Sequence, residues 1–284
     1  PGLLERARAW AGEQIAALPT SVYGERLQAS DLARQLEERS IGFYWAPARL
    51  LYDQPEKVSS DPADRTTHMG PELGQLLGAA QTDLFLVSPY FVPGKSGTAL
   101  LRALVERGVR VTVLTNSLAA TDVPAVHAGY ARYRRALLQA GVELYEMRPS
   151  LHAGRSEPHR FGESQASLHA KTLVVDRARV LVGSMNLDPR SNLLNTEMGL
   201  LIDSPELAGA ITAWRDEALS RVAWRVELEQ GQAGSTPFGT EERLVWVGRE
   251  EDGEVRRADH DPEAGAWARI QAFLLGLLPI ESQL

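Results

Sequence analysis

Residues Ser167 to Ile202 read SLHAKTLVVDRARVLVGSMNLDPRSNLLNTEMGLLI, and they collect side chains suited to phosphate chemistry. If the first part is extended, His169, Lys171, Leu173 and Val175 share one face of a strand. An imidazole can attack phosphorus or carry a proton, and an ammonium supplies positive charge for the anion. Further on, Gly183 permits close backbone approach, while Ser184 and Asn186, two apart, can aim a hydroxyl and an amide at one anion. Glu197 is a candidate acceptor for the other ring N–H of His169, which would fix its tautomer. Asp176, ahead of Arg177, reads as a turn residue. Any one of these features alone marks a strand end or a turn; it is their succession in one stretch that points to a phosphate site.

The flanking pattern says what must position them. DLFLVSPYFVP is a buried strand running into a loop, and 96–107 is a helix. VRVTVLTN is a second strand, 122–140 a helix with Asp122 as cap, and VELYEM a third strand. Strands and helices alternating at this length predict an α/β fold, a mixed or parallel central sheet flanked by helices. Ser204-Pro205 starts another helix. RLVWVG is strand-like, an acidic turn follows, and an amphipathic helix covers 264–278. Ahead of the sheet, 3–18 and 30–39 read as helices, 41–53 as an aromatic strand broken at Pro47, and 54–67 as a polar linker. The long polar loop 148–166 carries His152, Arg155, His159 and Arg160. Its place just before His169 makes His152, His159 and Arg160 candidate head-group contacts.

Composition narrows the function classes. A chain of 284 residues with net charge −7 is a poor match to a nucleic-acid binder held by global electrostatics. It has no cysteine, which excludes disulfides and thiolate metal sites. The apolar run FLLGLLPI is too short to span a bilayer, so contact with a membrane would have to be peripheral.

His169-x-Lys171, Asp176, Gly183-Ser184-x-Asn186 and Glu197 resemble the H-x-K-x4-D-x6-G-S-x-N signature of the phospholipase D superfamily. SPYFVPG, RGVRVTVLTNS, YRRALLQAGVELYE, LDPRSNLLNTE and the ending LLPIESQL are similar to the bacterial cardiolipin synthase branch. The resemblance implies a phospholipase D-like lobe and a phosphohistidine mechanism with no metal or cofactor. It makes His169 and Lys171 catalytic with Glu197 beside them, and Lys171, Ser184 and Asn186 the phosphate binders; Asp176 and Gly183 serve the motif's structure. Tyr90 would face the substrate cleft as a candidate head-group contact. The substrate would be a phospholipid, reached by a protein peripheral to the bacterial inner membrane, on its cytoplasmic side.

Of six histidines only His169 has lysine two residues on, whereas the implied chemistry uses two such motifs. The partner would be an upstream first-motif lobe of the same protein or a second copy of this chain. On the first alternative, 1–61 follows the absent motif, 62–220 is the α/β lobe, and 221–284 is an extension packed on it. Trp10, Phe43, Tyr44 and Trp45 would then either fill a core or mark a surface normally covered. Arg132, Arg134 and Arg135 read as a basic helix face, and Asp188 with Arg190 as a salt bridge bracing the loop after Asn186.

Overall fold

The computed structural model describes residues 2–17, 31–61, 64–149, 167–230, 242–250, 252–279 and 283–284. It resolves into two compact units, Pro1–Trp45 and Ala46–Leu284. The first holds helices α1 (Leu3–Ala17) and α2 (Asp31–Glu37). Trp10, Phe43, Tyr44 and Trp45 are all exposed, Trp45 at 92%, so these rings are surface rather than core. The predicted cap of α2, Ser30, lies outside the described residues.

The second unit is organised by a ten-stranded sheet, in the order β1-β7-β6-β5-β2-β3-β4-β8-β9-β10. In chain order the strands are β1 (Ala48–Tyr52), β2 (Asp83–Val87), β3 (Arg110–Asn116), β4 (Glu143–Met147) and β5 (Thr172–Val175). They continue as β6 (Arg179–Gly183), β7 (Met198–Asp203), β8 (Ala223–Gln230), β9 (Glu242–Arg249) and β10 (Val255–Ala258). Only β2–β3 and β3–β4 pair in parallel; the other neighbours are antiparallel, so the sheet is mixed as expected.

The helices of this unit are α3 (Gly70–Gly78), α4 (Gly94–Glu106), α5 (Pro124–Ala131), α6 (Arg134–Gln139), α7 (Pro189–Leu193), α8 (Pro205–Val222) and α9 (Ala266–Gly276). Alternation along the central strands sorts their side chains onto two faces. Leu84, Leu86, Val111 and Val113 join Leu73, Leu77, Leu101 and Leu104 of α3 and α4 in one core. Phe85, Val87, Leu114 and Val174 join Ala208 and Leu219 of α8 in another. Both faces of β2 are therefore covered, which is why DLFLV lacks the polar alternation of a half-exposed strand.

Four expectations are changed or made more specific. β1 and its successors belong with the larger unit, so the chain divides after Trp45, not at 61, because β1 pairs with β7 along its whole length. Within 221–284, read as an extension packed on the lobe, β8, β9 and β10 continue the same sheet and α9 packs on α5. The predicted helix 122–140 is two helices, capped first by Val123 and then by Tyr133. Arg134, read as part of a solvated basic face, is buried at 3% exposure. Its guanidinium pairs with Glu146 at 2.9 Å and Asp261 at 2.7 Å. Fully buried Glu146 also accepts from the Tyr130 hydroxyl and the Trp246 indole, at 3.1 and 2.9 Å. A buried carboxylate survives only with that many partners.

Candidate active site

The strand registers bring the chemistry to one rim of the sheet. Tyr52 faces Met198, Gly183 faces Gly199, Thr172 faces Val182, and Val87 faces both Thr172 and Leu114. The ends of β1, β2, β3 and β6 thus meet the beginnings of β5 and β7. His169 and Lys171 lie just before β5, Ser184 and Asn186 just after β6, and Glu197 just before β7. Residues far apart in sequence converge there because antiparallel pairing returns each strand to the same edge.

Local contacts hold each group. Asn116, buried at the end of β3, accepts from the Leu168 amide (3.0 Å) and donates to the Leu168 carbonyl (3.2 Å), pinning the backbone beside His169. The Lys171 ammonium donates to the His169 carbonyl at 2.9 Å and lies 3.5 Å from the ring Nδ1. Lys171 forms no ion pair among the described residues. Burial lowers its pKa, and the carboxylates of Glu197, Asp122 and Asp188 act the other way without cancelling that. The result is a half-buried cation without a directly bonded counterion, the kind of group an anion stabilises.

Gly183 is required by packing: a Cβ there would stand 2.3 Å from the Met198 carbonyl oxygen. That close approach lets Ser184 bond across to β7, its amide donating to Met198 O at 2.9 Å. The Ser184 hydroxyl donates to Glu197, and Asn195 donates to the other carboxylate oxygen at 3.3 Å. Glu197 is therefore committed to Ser184 and Asn195, and the expected bond from the His169 ring to Glu197 is not made in this structure. Asn186 is buried, with Nδ2 3.5 Å from Ser191 Oγ and Oδ1 without a partner among the described residues. Asp188 caps α7 by accepting from the Ser191 amide at 2.7 Å, in place of the predicted salt bridge with Arg190. Burial raises its pKa.

The loop after β2 closes the rim. Ser88 Oγ accepts from the Leu187 amide at 3.0 Å, and the Val92 amide donates to the Leu187 carbonyl at 2.8 Å. Behind this seam is a cavity of about 360 Å³, walled by α3, α4 and the motif loop Met185–Pro189. Tyr90 does stand at the rim, but its hydroxyl donates to Asp122 at 2.9 Å. Burial, reinforced by that bond, pushes its pKa up to about 12, so it remains a phenol near neutrality. His152, His159 and Arg160 lie outside the described residues.

Asp176 belongs to the opposite edge. With Arg177 it forms the β5–β6 turn, both residues having positive φ (54° and 53°), as a tight hairpin turn demands. Its carboxylate accepts from the amides of Gln81, Thr82 and Asp83 at 2.9, 2.8 and 3.2 Å, fastening the start of β2 to the hairpin. Burial alone would raise the pKa, but those amides outweigh it and lower it from 3.8. The stabilisation is thus present above the unfolded value and lost as pH falls through the lowered folded one. Asp176→Ala is expected to cost about 1.5–3 kcal/mol at pH 7. The gap from wild type in urea midpoints should close as the pH is taken below 3.8.

Two charged residues, Asp53 at the end of the predicted aromatic strand and Lys57 in the stretch read as linker, also reach the site. Lys57 and Asp53 form a buried pair at 2.6 Å, with side chains 1% and 0% exposed. Asp53 accepts from the amides of Glu197 (2.9 Å) and Met69 (2.7 Å), and Lys57 donates to the Ser191 carbonyl at 3.0 Å. One ion pair thereby braces the backbone of Glu197 and the helix under Asn186. The only sequence signal was polarity, with lysine four residues after aspartate across a proline, which reads equally as a solvated turn.

His127, Glu146 and Asp261 form a cluster with metal-ligating atoms within 4.8 Å of one another. The Arg134 guanidinium sits among them, 2.6 Å from His127 Nε2, and supplies the positive charge the carboxylates need.

Comparison with known proteins identifies the family. The family model described as cardiolipin synthase, PLD-like domain matches residues 73–218. The chain belongs to that family. It is 38% identical to cardiolipin synthase C of Escherichia coli (strain K12) over 264 residues, 92% of this chain and 53% of that protein. It is 30% identical to cardiolipin synthase A of Pseudomonas aeruginosa (strain PAO1), over 71% of this chain and 40% of that one. The chain therefore spans about half, or less, of the curated relatives it matches. Among solved structures, a phospholipase D family member, Nuc from Salmonella typhimurium, aligns with a TM-score of 0.45 at 17% identity, covering 64% of this chain and 98% of that one.

Proposed function

We propose that this chain supplies one half of a two-histidine site that transfers a phosphatidyl group between alcohols of phospholipids. The observation that carries it is the meeting of His169, the counterion-poor Lys171, Ser184 and Asn186 on one rim of a cardiolipin synthase-type PLD-like domain. Lys171 and Asn186 would hold the non-bridging oxygens. Lys171 gains the anion its half-buried charge lacks, and Asn186 brings a buried amide with spare hydrogen-bonding capacity.

The transfer takes two steps. One histidine attacks phosphorus, forming a P–N bond as the bond to the leaving oxygen breaks. The other histidine, protonated, gives that oxygen its proton and is left neutral. It then takes the proton of the incoming hydroxyl, whose oxygen displaces the first ring. With water as acceptor the same cycle is hydrolysis. His169 serves in one of these roles, and the second ring comes from an upstream lobe or a second copy of this chain. The substrate places the protein at a membrane surface; no helix among the described residues is long and apolar enough to cross one.

A dilution series tests the arrangement, with turnover measured on phosphatidylglycerol vesicles and His169→Ala as the blank. If an upstream lobe provides the second ring, this chain alone is expected to show no turnover above that blank at any concentration. Turnover rising as the square of protein concentration would instead assign the second ring to another copy.

A further inference from the structure

Helix α9, AWARIQAFLLG, is built the opposite way round from the other helices of its unit. Its half-buried positions are mostly small, Ala268, Ala272 and Gly276, joined by Arg269 and Leu275, and none of its residues is buried. It packs against α5. At its far end Arg132 donates to the carbonyls of Gly276 and Leu278, at 3.1 and 2.6 Å, satisfying groups a helix C-terminus leaves open. All the other bulky residues point out. Trp267, Ile270, Phe273, Leu274 and Leu277 are 73%, 50%, 66%, 54% and 67% exposed, and Leu278 continues the stripe. At 100° per residue these six fall within less than half the helix circumference. Nothing in the fold's own core needs them.

We propose that α9 is an interfacial helix, laying this face into the headgroup–acyl boundary of an anionic phospholipid bilayer and holding the His169 rim at the lipid surface. This deepens the phospholipid reading above and rests on it for the choice of occupant. Charge points the same way. The chain carries a net charge of −7, yet between Ala266 and Leu278 the only charged residue is Arg269. Exposed Arg132 and Arg135 stand at the neighbouring helix ends. The acids that precede the helix, Asp261 and Glu263, are already paired with Arg134 and Arg148, so the face itself presents apolar side chains, a marginal tryptophan and no acid, a composition suited to a lipid interface.

Position completes the case. The helix on which α9 rests, α5, begins two residues after Asp122, and that carboxylate both holds Tyr90 and acts on Lys171. Helix α5 thus links α9 to the rim of the site. Helix α9 needs only partial immersion, and a soluble substrate would not require it.

The test compares the full chain with Leu274→Ser/Leu277→Ser by co-sedimentation with vesicles of phosphatidylglycerol and of phosphatidylcholine. Both substitutions face outward, so the thermal midpoint should hold, confirming that the variant is folded. Wild type is expected to bind phosphatidylglycerol in preference, and the variant at least tenfold more weakly. Equal binding by wild type and variant, or no binding by wild type, overturns the proposal. So does a variant that turns a wild-type dimer into a monomer in light scattering while its vesicle binding is unchanged, since the face would then be a protein contact. His169→Ala binding vesicles like wild type separates the two claims. If the assembled enzyme then proved unable to turn over phospholipid, the catalytic reading would fail and the role of α9 would stand.

Discussion

His169→Ala is expected to lower phosphodiester turnover of the assembled enzyme by at least about 10²–10⁴-fold, whichever source provides the second histidine. That range is typical of removing one positioned acid–base group, and loss of a covalent nucleophile adds to it. His169 is exposed, and the bonds that hold its backbone in place come from Asn116 to Leu168. Truncating the ring removes chemistry without removing packing, so stability should stay within about 0.5 kcal/mol of wild type. The measurement is kcat and KM on a short-chain soluble phospholipid, alongside a thermal melt. A fall in kcat with KM little changed is the expected pattern. A variant that kept a tenth of its activity would mean that the reaction does not pass through this ring.

Lys57→Met is expected to destabilise the fold by about 3–5 kcal/mol, because it leaves a buried carboxylate with its charge uncompensated. Asp53 has no water to turn to: its side chain is 0% exposed, and two backbone amides already point at it. Two amides hold a carboxylate in place but do not neutralise it. Asp53→Asn added to Lys57→Met should recover a large part of the loss by removing the stranded charge. Urea denaturation of the two single variants and the double variant gives the coupling directly. A Lys57→Met midpoint close to wild type would show that the pair is not buried in solution. The change should also reach the site, because Asp53 and Lys57 bond to the backbone of Glu197 and Ser191.

The motif and the central strands were legible in the sequence for physical reasons that act locally. A strand covered on both faces favours apolar residues at successive positions, as LFLV of β2 shows, and β3 reads as a strand from its β-branched alternation although Thr112, Thr115 and Asn116 are buried in it. The turn at Asp176-Arg177 and the glycine at 183 were readable because tight turns and close backbone approaches admit few residue types. His169, Lys171, Ser184, Asn186 and Glu197 announced themselves by chemical type and spacing, without any knowledge of their neighbours.

What the sequence by itself determined, then, was the family, the α/β fold class with its central strands, and the absence of a second His-x-Lys from this chain. Tertiary structure alone decided the wiring. It tied Lys57, read as linker, to Ser191, Asp53, read as a strand end, to Glu197, and Asn116 to Leu168. It gave Glu197 to Ser184 and Asn195 in place of His169, and buried Arg134 against Glu146 and Asp261. Periodicity and propensity report only what lies within a few residues along the chain. Whether a charge meets water or another charge depends on which distant strand returns beside it, and that is set by the packing of the whole sheet.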